Sequence, residues 1–221
     1  MKLALLLLCV ASVLRGQSAR ARLEGRVPAP SVPALDSLIR AANSESLPTA
    51  PLIQKAIEGG AKRVPGDRIV GAVQLNIEQL RQAKALLVRA GDAPPVTGAE
   101  MTAAAAALKR GVSVPIVERV VAALPNQPRS PAFHAVADLV AHGFDPDAAA
   151  DLILTAARQQ MRGSRLLDVS GAASQAVQRG RSRAQALAWV RGQLPNVPTA
   201  PPPGRSTVQG ARRPIAPAPK P

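Results

Sequence analysis

Aromatic residues are nearly missing from this 221-residue chain, which has two Phe, one Trp and no Tyr. So few rings exclude the stacking platforms on which single-stranded nucleic acid is bound. Strand signals are absent too. No alternating Val/Ile/Thr run is bounded by turns, and no Asn-Gly pair marks a hairpin, so a sheet is excluded. The motifs G-x-x-x-x-G-K-[ST], G-x-G-x-x-G and G-x-S-x-G do not occur, which removes the common phosphate loops and the nucleophile elbow. Asp145, Asp147 and Asp151 lack the glycine and final glutamate of a calcium loop, and helix capping accounts for them. Acidic residues number 14 against 28 basic ones.

The single cysteine, Cys9, lies in the apolar run 3–14, which follows Met1-Lys2 and precedes Ala19-Arg20-Ala21. A charged start, a short apolar core and small residues at −3 and −1 predict a secretory signal peptide, 1–21, cut after Ala21. The run is shorter than the ~20 residues of a spanning helix, so no transmembrane span is expected in the mature chain. Export to a periplasm or the exterior follows. Without Cys9 the mature chain has no disulfide, thiol nucleophile or thiolate metal site.

Alanine and glycine punctuation dominate what is present. In 130–160, Pro131 stands near a helix start, and Phe133, Val136, Ala137 and Val140 form one apolar stripe. Gly143 ends that helix, while Asp145-Pro146 opens the next, with Phe144 as the apolar residue before the cap. A link so short predicts an αα-hairpin. The same grammar predicts helices over 34–42, 51–58, 68–90, 101–110, 115–124, 170–179 and 183–194. Ser130, Asp67, Ser113 and Ser182 are read as caps, Thr97-Glu100 as a capping box, and Gly59-Gly60, Gly111 and Gly180 as stops. The stops Gly111, Gly143 and Gly180 lie 32 and 37 residues apart. That spacing suits degenerate helical-hairpin repeats, stacked as a short α-solenoid or closed into an irregular bundle. The expected organisation is a disordered lead-in over 22–33, an all-α domain over 34–194 and a disordered tail over 195–221. Nine prolines and no acid in the tail favour polyproline II. Alanine buries little area, so thin helix contacts are expected, with Trp189 as the core anchor of the last hairpin.

Charge is distributed unevenly. After Asp168 come eight basic residues and no acid. A segment of one sign attracts polyanions in a salt-dependent way, although it also serves solubility alone. The anion- or partner-binding candidates are Arg179, Arg181 and Arg183 in one turn, with Arg212 and Arg213 in the tail, because guanidinium groups grip carboxylate and phosphate in pairs of bonds. The expected partner is a protein or an anionic envelope component, and nothing favours specific nucleic-acid binding. No cofactor is called for.

His134, Asp138 and His142 recur at i, i+4 and i+8 and project along one helix side, away from Phe133 and Val136. Imidazole and carboxylate suit zinc. At ~1.5 Å rise per residue the outer two are ~12 Å apart, too far for one ion to take all three readily. The sequence therefore reads as an exported, non-enzymatic interaction scaffold. The alternative is a metal-assisted envelope enzyme using this row.

Overall fold

The computed structural model describes residues 18–90 and 95–197. Among them every regular element is helical and none is a strand. The helices are α1 (Ala19–Leu23), α2 (Val32–Ser44), α3 (Ala50–Ala61), α4 (Gly66–Ala90), α5 (Gly98–Lys109), α6 (Val114–Ala123), α7 (Ser130–Ala141), α8 (Pro146–Arg158), α9 (Ser164–Gln178) and α10 (Arg183–Gln193). None is long and apolar enough to cross a membrane. The signal-peptide expectation falls mostly on residues 1–17, outside those described, as do residues 198–221 of the tail with Arg212 and Arg213.

Capping chemistry explains several helix starts. Thr97 Oγ1 accepts from the Glu100 N–H while the Glu100 carboxylate accepts from the Thr97 N–H, at 3.2 and 3.1 Å. Ser182 and Gln185 form the same reciprocal pair at α10. Asp145 Oδ1 accepts from the Ala148 N–H at 2.8 Å. Each cap satisfies an N–H that the helix itself leaves unpaired, and is worth about 1 kcal/mol.

The helices form two rows. Sequential pairs pack together: α1 on α2, α3 on α4, α7 on α8, α9 on α10. Across pairs, odd helices meet odd ones (α1–α3, α5–α7, α7–α9) and even meet even (α2–α4, α4–α6, α6–α8, α8–α10). The row from α5 to α9 buries mainly small side chains, among them Ala103, Ala104, Ala107, Ala132, Ala135 and Ala173. Small side chains let helix backbones approach closely. Phe133 and Leu139 of the central α7 supply its bulk. The even helices bury larger apolar side chains, among them Leu80, Val117 and Ile153, and several are also bridged by exposed ion pairs. Arg81 of α4 binds Glu45 at the end of α2, Arg89 binds Glu118 of α6, and Arg119 of α6 binds Asp147 of α8. One step of the odd row is open. α3 and α5 make no substantial contact, and the 25-residue α4 spans the gap.

The structure departs from the expectations at identifiable places. Residues 22–33 are packed rather than a disordered lead-in: Leu23, Val27 and Val32 are buried, and 29–31 is a 3-10 turn. These apolar residues override the prolines around them. Gly59-Gly60 does not stop α3, which runs on to Ala61. Gly60 instead permits a close approach, since a Cβ there would lie 1.9 Å from the Arg26 carbonyl oxygen. α9 begins at Ser164 rather than 170, because Leu166 and Val169 give it a buried side. Ser170 is buried inside it and donates to the Leu167 carbonyl at 3.0 Å. Ser130 is the first residue of α7, and the cap position belongs to Arg129. Asp67 lies in the first turn of α4. Trp189 is half-buried, and the core of α10 is Ala186, Leu187 and Val190. Residues 195–197 belong to the folded body, because Val197 is 2% exposed and Arg165 donates to the carbonyls of Pro195 and Val197.

Candidate functional site

Each hairpin turn contains one residue with φ between 54° and 91°: Gly25, Arg63, Gly111, Gly143 and Gly180. Several contacts place these turns along one edge. Gly60, near the second turn, abuts Arg26 of the first. Gly111 faces Val140 near the end of α7. Arg183 Nε, just past the fifth turn, donates to the His142 carbonyl at 3.0 Å in the fourth. A Cβ at Gly143 would lie 3.1 Å from that guanidinium, and its φ of +78° is one that glycine adopts freely. Basic residues recur at these turns: Arg26, Lys62 and Arg63, Lys109 and Arg110, then Arg179, Arg181 and Arg183.

The fifth turn carries a cleft of about 330 Å³ lined by Arg179, Arg181, Gln185 and Trp189. The Arg181 guanidinium lies over the Trp189 ring, 5.4 Å from its centre. That stacking pre-orients the guanidinium while leaving its edge N–H groups available. No carboxylate forms an ion pair with Arg179, Arg181 or Arg183 among the described residues. The structure thus brings these three sequence candidates together but divides their work. Arg183 joins two turns, while Arg179 and Arg181 face the cleft. An oxyanion could accept several N–H bonds there.

The histidine row follows its helix. His134 and His142 are exposed and Asp138 is half-buried. His142 turns back on its own helix, with Nδ1 2.8 Å from the Asp138 carbonyl oxygen and 3.6 Å from Asp138 Oδ1. Partial burial of the ring, and then the charge of Arg110, hold the His134 pKa below its ordinary value. No group of three His, Cys, Asp or Glu among the described residues is arranged to hold a metal ion. Asp145 and Asp147 do the capping and first-turn work expected of them, and Asp147 and Asp151 both face Arg119.

Two features were not read from the sequence. One is the buried pair Glu100–Arg129. The other is the groove where α3 and α5 stand apart over α4. Both depend on contacts between distant parts of the chain, and the length of α4 is the one sequence signal bearing on the groove. No family model matches the chain, and neither a curated protein nor a solved structure matches it.

Proposed function

We propose that this chain is a helical-hairpin repeat scaffold, exported and without catalytic activity, whose basic turn edge holds an anionic partner. The observation that carries this reading is the Arg179–Arg181–Trp189 cleft, with two guanidinium groups that no carboxylate neutralises. The alternation of odd and even rows supports stacked hairpin repeats over a closed bundle, since second-neighbour helices meet at every step except α3 to α5. The turn edge then offers positive charge at every turn but the fourth, which holds Asp145, and the residues after 197 add more of it without an acid. Such an edge suits an acidic protein or an anionic envelope polymer, both of which present carboxylate or phosphate groups.

The first 21 residues support export. Cleavage after Ala21 removes most of α1 but keeps Leu23, its fully buried residue. Mass spectrometry of secreted chain is expected to find Arg22 at the N-terminus. A retained Met1 in all the protein would overturn export.

Binding separates the body from the tail. Chains 22–221 and 22–197 are compared on immobilised polyglutamate and polyphosphate at low and moderate salt. The truncation ends at 197 because Val197 is part of the fold. Retention of both chains, reduced at least tenfold by Arg179→Ser with Arg181→Ser, is the expected result. Retention only of the longer chain would move the activity to residues 198–221 and overturn the cleft. Preference for one polymer identifies the acid group.

A further inference from the structure

A second surface lies away from the turn-5 cleft. The odd row is continuous from α5 to α9 and again between α1 and α3, but not between α3 and α5. The break leaves an open groove floored by α4 and walled by α3 and α5. Its floor carries Leu75, which is 61% exposed and is the most exposed large hydrophobic residue described. Ala72, Ala105 and Ala106 make the remaining apolar lining shallow. Lys55 stands on the α3 wall, 3.5 Å from the Glu58 carboxylate behind it, and Lys109 stands at the end of the α5 wall; no acidic residue lines the groove itself. A second depression continues it past Gln82 and Leu108 to Lys109.

At about 280 Å³ and open along its length, the groove is small for an enclosed drug-sized ligand. A helix laid along it would use the surface differently. Its apolar stripe would cover Leu75 and the alanines, and carboxylates on its flanks would meet the two lysines. The alanines of the α5 wall and of the floor admit a close helix, as alanines do between α5 and α7. An amphipathic helix docked by residues at i, i+3, i+4 and i+7 is an established mode of recognition. We infer that the α3–α4–α5 groove is a docking site for an acidic amphipathic helix of a partner protein, which would fill the open step of the odd row. The charge of the walls selects this occupant. The chain's own segment 198–221 has the same sign as the lysines and carries no acid, so it is repelled. This surface shares no residue with the turn-5 cleft and meets the turn edge at Lys109.

The test uses the full chain and two labelled 18-residue helical peptides with the same leucine stripe, one flanked by Glu and the other by Lys. Fluorescence anisotropy reads binding to the parent, Leu75→Glu, the double variant Lys55→Glu/Lys109→Glu, and Arg179→Ser/Arg181→Ser. All substituted side chains retain solvent exposure, and circular dichroism melts check that each variant folds. The acidic peptide is expected to bind the parent at least tenfold more tightly than the basic one. Leu75→Glu and the double lysine variant should each weaken it at least tenfold, and the double lysine variant should gain affinity for the basic peptide. The arginine variant should bind it within threefold of the parent. Equal binding of the two peptides, no binding of either, or loss in only one of the two groove variants overturns the inference. So does loss confined to the arginine variant, which would return the peptide to the turn edge. A dimer of the chain that Leu75→Glu dissolves would give the groove to a second copy and also overturn it.

Discussion

Glu100 Oε1 lies 3.0 Å from Arg129 Nε, and both residues are enclosed, at 5% and 2% exposure. The same carboxylate caps α5 through the Thr97 N–H and accepts from the Arg129 N–H at 3.4 Å. One acid therefore fixes the start of α5 to the start of α7, 29 residues away. Removing one partner of such a pair strands a buried charge, which costs about 3–5 kcal/mol. Glu100→Ala and Arg129→Met should each destabilise the protein by about that amount in urea unfolding. The double variant should cost less than the sum, because neither charge is then left alone.

Acid should act on the same carboxylate. Burial pushes the Glu100 pKa up, but the Thr97 N–H, the Arg129 charge and the remaining hydrogen bonds outweigh it, and the carboxyl is held below its ordinary value of 4.5. Its contribution to stability is complete above that value and is lost as pH falls through the lowered folded pKa. His134 acts in a higher window. Its folded pKa lies below the ordinary 6.5, so protonation favours the unfolded chain, and stability declines as pH falls from 6.5 towards the folded value. Melting temperature against pH should show both declines, and His134→Gln should remove only the upper one. An NMR titration should place the His134 midpoint below 6.5.

Gly60→Ala provides a test of the packing between α3 and the first turn. On helix propensity alone alanine gains about 1 kcal/mol. At this site the new Cβ would lie 1.9 Å from a backbone oxygen, which cannot swing away like a side-chain tip. The backbone must move, and overpacking of this kind costs about 1–3 kcal/mol. A net loss of stability is expected on thermal melting. A net gain would show that the first turn yields freely.

Trp189 is the only indole, so its emission reports the turn-5 cleft without labelling. Titration with polyglutamate should change its intensity at low salt, and 0.5 M salt, a concentration at which the Debye length is only about 4–5 Å, should suppress the change. Arg181→Ser should shift the emission of the free protein by removing the stacked guanidinium, and should weaken the titration response at least tenfold. An unchanged response would show that the anion binds elsewhere.

Helix positions were legible where local chemistry sets them. Thr97, Asp145 and Ser182 form caps where the sequence places them, and Gly111, Gly143 and Gly180 take the left-handed backbone expected of stops. The errors arise where a distant contact overrides the local signal. Gly60 reads as a terminator, but its lost side chain makes room for Arg26. The prolines of 22–33 suggest disorder, but Leu23 and Val27 find the core. Ser130 has the right residue type for a cap, while a carboxylate 29 residues upstream holds Arg129 in that place. At the turn-5 site, the arginine cluster was visible in the sequence. The division between Arg183, which bonds to His142, and Arg181, which stacks on Trp189, depends on how the neighbouring helices sit.

The two rows give the molecule a strip with unlike sides. Dispersion between closely packed small side chains is indifferent to ionic strength, whereas exposed pairs such as Arg89–Glu118 and Arg119–Asp147 are screened by it. Added salt should therefore weaken the ties that bridge one side and leave the packing of the other unchanged.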